Sequence, residues 1–200
     1  MNTKELTEDR DGFRFRGGSN AIDLAATLRA RLSASPRELL STPEDLARWL
    51  VSAGMASSAP KPKAKDLATA RSLREAIYVL AGTRKGFKAG AARKTLNRIA
   101  AGVAAVPRLQ PNGTMSLEGS VGALLVTLAR EAVHLLGSDA AKLIKQCESP
   151  VCTLYFLDNS RRGDRRWCSM SGCGNKAKVD AFRRRKRGSE PFAAYRETLS

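Results

Sequence analysis

Cys147, Cys152, Cys168 and Cys173 are all the cysteines of this chain, and they fall in two pairs. Four residues lie inside each pair and fifteen lie between the pairs. Thiolate sulfur is a soft ligand that suits Zn²⁺, and structural zinc sites commonly use four of them in a tetrahedron. The pattern predicts one structural Zn²⁺ held by these four residues. Four cysteines could also form disulfides in three pairings. The first sixteen residues, Met1 to Arg16, are polar and charged and carry no apolar stretch of a secretory signal. A cytoplasmic protein is therefore expected, and cytoplasmic thiols stay reduced.

Positive charge crowds the same region. The chain carries 35 Lys and Arg against 19 Asp and Glu, a net charge of +16. Such an excess points to a polyanion, usually nucleic acid. Residues 158–187 hold eleven basic residues against three Asp, a balance of +8. Residues 61–98 hold eleven against Asp66 and Glu75, a balance of +9, so the cysteine region does not own the whole signal. The second stretch has no assigned role at this level, and a solvated face is its plain reading. No apolar run reaches the length of a membrane span.

The cysteines need elements to hold them. Thr153 to Leu157 is β-branched and aromatic, so it reads as a strand leaving Cys152. The first pair then lies at the tip of a short hairpin, a zinc knuckle. Asp158 to Asp164 is rich in turn formers and reads as a loop. Arg165, Arg166 and Trp167 run extended into Cys168, and Met170 to Gly172 makes a second turn. Cys173 opens a helix of about thirteen residues, where the dipole favours a thiolate. On that helix Val179 and Phe182 are one turn apart and are expected to pack on Leu154 and Phe156. The stretch is too small to bury an adequate core alone, so metal would supply much of its folding energy. The candidate phosphate contacts are Arg161, Arg162, Arg165 and Arg166 in the loop. On the helix they are Lys176, Lys178, Arg183, Arg184, Arg185, Lys186 and Arg187, of which Lys176, Arg183 and Arg187 share a stripe. Part of this charge would offset the four thiolates.

The preceding part reads as helical. Ser19 or Asn20 could cap a helix through about Arg31, with Ile22, Ala25, Leu28 and Leu32 on one face. Thr42, Pro43, Glu44 and Asp45 form a helix start, and Leu46, Trp49 and Leu50 supply its stripe before Gly54. Ser57 to Lys65 is a loop. Leu67, Ala70, Leu73, Ile77 and Leu80 mark a longer helix, and Lys88 to Val103 another. Pro107 to Leu117 reads as a hairpin turning at Asn112 and Gly113. Ser120 to Leu136 is the most apolar helix, interrupted by Gly137 and Ser138. The single histidine, His134, lies on it and reads as a partly buried residue rather than a ligand.

The string RRWCSMSGCGNK at residues 165–176 resembles the motif of the CGNR zinc-finger family. Here Cys173, Gly174, Asn175 and Lys176 occupy the naming positions, with Lys in place of the usual Arg. Cys147 and Cys152, the aromatic strand and the basic loop match the family's first half. Phe15-Arg16-Gly17-Gly18, then Ile22-Asp23-Leu24 and Thr27, resemble the opening of the companion ABATE-type domain, with Ala26 where Asn is expected. Leu46, Trp49 and Leu50 fit as well. The resemblance implies a bacterial stress-induced transcription regulator whose C-terminal zinc finger binds DNA.

The expected fold is mainly α. A helical ABATE-like domain with a small β-hairpin spans 1–137, as a sensor or dimerisation core. A treble-clef-like four-cysteine module of hairpin and helix spans 138–200. The expected function is transcription regulation through duplex DNA; a zinc-stabilised module for protein or RNA is the alternative. A homodimer and a small-molecule effector in the helical domain are further partner readings, with Asp23 and Arg29 the residues to inspect. No nucleophile motif, phosphate loop or dinucleotide fingerprint is present, and a zinc closed by four thiolates has no open position, so an enzyme is not expected.

Overall fold

A computed structural model describes residues 9–83, 85–149 and 152–188. Two short strands, β1 (Asp9–Arg10) and β2 (Phe13–Arg14), pair antiparallel and open the described chain. Helix α1 (Asn20–Ala25) follows at once. It ends much earlier than its apolar spacing predicts. The Thr27 hydroxyl donates to the Leu24 carbonyl at 2.7 Å, and Ala30 takes a positive φ of 50°. Leu28 and Arg29 form strand β3 (Leu28–Arg29), which pairs with β4 (Arg37–Glu38). Ile22 and Ala25 are buried as expected, but Leu32 lies exposed beyond the bend.

Helix α2 (Pro43–Ser52) begins where its signals place it. Asp45 N–H donates to the Thr42 hydroxyl, and the Asp45 carboxylate accepts from Thr42 N–H, a reciprocal capping box with Pro43 at the first turn. Helix α3 (Ala64–Gly82) carries the long apolar stripe. Helix α4 (Phe87–Ala100) stops before Val103, which is exposed. Strands β5 (Val106–Leu109) and β6 (Met115–Glu118) form the expected hairpin, with Leu109 opposite Met115. Helix α5 (Val121–Gly137) is capped by the Ser120 hydroxyl, which accepts from Ala123 N–H.

Helices α1, α3, α4 and α5 pack on one another around one core, and α2 covers α3. Trp49, Ile22, Leu24, Leu40, Leu73 and Leu125 are fully enclosed in it. Arg74 is buried too, which its place in a basic stretch does not suggest. It reaches Glu38 at 2.6 Å and Glu75 at 2.8 Å, and so ties α3 to β4. Arg71 donates to the Leu40 carbonyl at 2.6 Å. Part of the 61–98 charge is thus internal bracing.

A 3₁₀ turn (Asp139–Leu143) leads into β7 (Ile144–Gln146), which pairs with β8 (Tyr155–Leu157). A π-helical turn (Met170–Gly174) precedes the last helix, α6 (Asn175–Gly188). Strand β8 docks against the helical part. Leu157 N–H donates to the Gly17 carbonyl at 2.8 Å, and the Tyr155 ring meets Tyr78 edge-on at 5.1 Å. Gly18 is needed here: its φ is +79°, and a Cβ would lie 3.3 Å from the Leu157 side chain. Among the described residues no helix is long and apolar enough to cross a membrane.

Candidate metal centre

Hairpin β7–β8 positions the first two sulfurs. Cys147 N–H donates to the Leu154 carbonyl and Cys152 N–H to the Ser149 carbonyl, each at 2.9 Å, so the chain tightens into a knuckle. Glu148 N–H donates to the Arg166 carbonyl at 3.0 Å, which lays the segment entering Cys168 beside that knuckle. The second pair is set by Ser169. Its hydroxyl accepts from Gly172 N–H at 3.2 Å and its carbonyl from Gly174 N–H at 2.9 Å. Cys173 therefore lies in the π-turn just ahead of α6.

The four Sγ atoms lie within 4.8 Å of one another. Cys152 and Cys168 are 3.8 Å apart, and Cys168 and Cys173 are 3.7 Å apart. A tetrahedron with zinc–sulfur bonds of about 2.3 Å requires edges of about 3.8 Å. The residues fit the ion on geometry and on donor chemistry. Without a cation such a cluster cannot ionise fully. Hydrogen bonding with Cys152 and Cys168 pulls the Cys147 thiol far below its usual value. Sharing with Cys147 pushes Cys152 up to about 11, and Cys168 higher still. A divalent cation lets all four carry charge together.

The core of this region is small. Leu154, Phe156 and Ala26 of the helical part surround three buried cysteines, with Trp167 at the edge. Val179 and Phe182 do not join it, contrary to expectation: they are 46% and 61% exposed. The metal and the dock onto α1 do what those side chains were expected to do.

The candidate phosphate contacts divide into groups. Arg165 is structural: its guanidinium donates to the Trp167 and Cys168 carbonyls and lies 4.5 Å over the Phe156 ring. Arg166 pairs with Glu148 at 2.6 Å on the surface. Arg161, Arg162, Lys178, Arg183 and Arg185 are exposed. The side chains of Arg184, Lys186 and Arg187 lie outside the described residues. The loop is held by Asp158, whose carboxylate accepts from Lys145, Ser160 and Arg165 N–H. Lys145 foremost, then Ser160, holds that carboxyl well below the usual range. Lys176 faces a cleft that it shares with Arg14, Arg16 and Arg29. Arg14 was not singled out from sequence and Arg16 entered only through the family motif, although the alternation of Arg with Phe over residues 13–16 was a visible signal. Asp23 lies apart from the cleft, buried, and accepts from Gly17 N–H at 2.7 Å.

Two family models match the chain. Residues 144–186 match the CGNR zinc finger. Residues 18–139 match ABATE, described as "Putative stress-induced transcription regulator". No curated protein matches the chain. The ABATE match covers more than half of the sequence, so this chain belongs to the ABATE family and carries a CGNR zinc finger after that domain.

Proposed function

We propose that this protein is a cytoplasmic transcription regulator that binds duplex DNA through its zinc-clamped module. The observation that carries the reading is a group of exposed cations on the zinc module that make no ion pair among the described residues. They are Arg161 and Arg162 on the loop and Lys178, Arg183 and Arg185 on α6. They project from one small unit, where phosphate contacts can act together. Bound to Cys147, Cys152, Cys168 and Cys173, zinc would crosslink the knuckle to the start of α6. Loop and helix would then keep one relative orientation. The reading is of a binding protein and not a catalyst, because four thiolates fill a tetrahedral zinc.

The test is duplex binding by fluorescence anisotropy across a salt series. Changing Arg183, Arg184 and Arg185 together to Ala should flatten the slope of log K against log salt by up to about three, roughly 0.9 per lost phosphate contact. An unchanged slope, with zinc still bound, would sink the reading. A second reading, a protein partner on α6, is favoured by the exposed Val179 and Phe182. It predicts salt-insensitive retention of a discrete protein and no duplex binding.

A further inference from the structure

The cleft beside the zinc knuckle has a composition that the DNA reading does not require. It has a volume of about 170 Å³ and lies between the N-terminal strands and the cysteine cluster. Arg14 comes from β2, Arg29 from β3, Lys176 from α6, and Arg16 from the segment after β2. Arg16 pairs with Asp9 at 3.0 Å, and Arg14, Arg29 and Lys176 make no ion pair among the described residues. Arg29 stands directly opposite Arg37 across the β3–β4 pair, a juxtaposition of like charge that costs stability. Burial first, then Arg14 and Arg37, pulls the Arg29 guanidinium below its usual value. Thr153 also lines the cleft. It is 4% exposed, and its hydroxyl has no hydrogen-bond partner among the described residues. A buried hydroxyl without a partner is uncommon and asks for a ligand or water.

Charge balance with the metal does not account for this. Four thiolates on Zn²⁺ leave two negative charges. Asp9 adds one. With Arg16 set against Asp9, the cleft is lined by Arg14, Arg29 and Lys176, three positive charges that make no ion pair among the described residues. Those charges converge on a space too small for a drug-sized ligand, which needs about 300 Å³ or more. A tetrahedral oxyanion fits both the volume and the donors.

We propose that this cleft binds a phosphate group, free or carried by a small molecule, held by Arg14, Arg29, Lys176 and the Thr153 hydroxyl. The site joins both halves of the chain. Its cations come from the N-terminal segment, β3 and α6, and its hydroxyl follows a zinc ligand. Gly172 lies against the N-terminal segment: a Cβ there would come 2.8 Å from the mobile end of the Arg16 side chain. An occupied cleft would therefore hold the finger against the helical domain.

The experiment titrates inorganic phosphate into the zinc-loaded full chain by calorimetry, at constant ionic strength, with acetate and chloride as comparison anions. Saturable uptake of one phosphate per chain is expected, with a rise in Tm. Arg29→Gln should weaken it about tenfold or more, the scale of a lost charge-assisted bond. Thr153→Val should weaken it several-fold. Lys176→Gln, on an exposed position, gives the same test where a buried substitution impairs folding. Arg183→Ala and Arg185→Ala should lower duplex affinity and leave phosphate uptake unchanged, so failure of the DNA reading and failure of this site are distinguishable. No saturable uptake, or equal uptake by Arg29→Gln and Lys176→Gln, overturns the proposal. So does stoichiometric displacement of phosphate by a duplex, which would assign the cleft to the DNA backbone.

Discussion

The helical domain and the zinc finger solve the same problem with different materials. The first buries long apolar stripes from α1 to α5 against one another, with Trp49 and Leu125 fully enclosed. The second encloses little beyond Leu154, Phe156 and the cysteines themselves. Its last helix is mostly charged, and even its apolar pair faces solvent. One unit is held by the removal of apolar surface from water, the other by a few directional bonds to sulfur. Among the described side chains of α6 none is buried, so they are left open to a partner. Those of a helix buried along one face would not be.

Removing the metal should break the comparison most visibly. Zinc contributes about 10 kcal/mol or more to small finger peptides. Chelation, or Cys168→Ser, should release β7, β8 and α6 into fast hydrogen exchange while amides of α3 and α5 stay protected. If protection falls uniformly across both regions, the two are one cooperative unit and the contrast is wrong. The docks at Gly17–Leu157 and Tyr78–Tyr155 are the contacts through which that could happen.

The converse perturbation acts on the helical core. Leu125→Ala should cost about 2–5 kcal/mol in denaturant unfolding, as truncation of an enclosed leucine does. Zinc affinity, measured by competition with a chromogenic chelator, should hold within a factor of two or so, because distant sites behave additively. A parallel loss of zinc affinity would show that the finger depends on the core.

Asp23 sharpens the picture on the helical side. Burial pushes its carboxyl up to about 7, against the opposing hydrogen bond from Gly17. Unfolded, the group titrates near ~4. Between those values the native chain holds a proton that the unfolded chain has released. Stability therefore falls as pH rises through this window, and the full cost is present above about pH 7. Asp23→Asn should flatten the profile between about pH 4 and 7 and gain roughly 2–4 kcal/mol at pH 8. A profile unchanged by the substitution would mean that Asp23 stays ionised in the fold.

Much of this was legible in the residues. The stripes of α2, α3 and α5, the Thr42 capping box and the Asn112-Gly113 hairpin follow from spacing and turn chemistry. The cysteines announce a metal because their type and spacing serve little else. What spacing could not give depended on long-range placement. Helix α1 stops because Thr27 and Ala30 turn the chain into β3, and Leu28 and Leu32 continue a helical pattern that the backbone abandons. Arg74 reads as surface charge until Glu38 and Glu75 arrive beside it. Arg14, Arg16, Arg29 and Lys176 meet only because the finger docks on α1, which no local pattern encodes.

The smallest effect belongs to the place where local pattern misled. Val179 and Phe182 stand one turn apart on α6, a spacing that normally marks a buried face. Had they packed on Leu154 and Phe156, replacing both with Ser would remove burial worth several kcal/mol, at about 1.5–3 for each side chain. They are 46% and 61% exposed, so the double substitution should shift thermal unfolding by no more than about 0.5 kcal/mol equivalent and leave zinc binding intact. A large loss of stability would place these side chains inside the finger after all, and α6 would have a face to bury. The contrast with the helical domain would then be one of size alone, not of material.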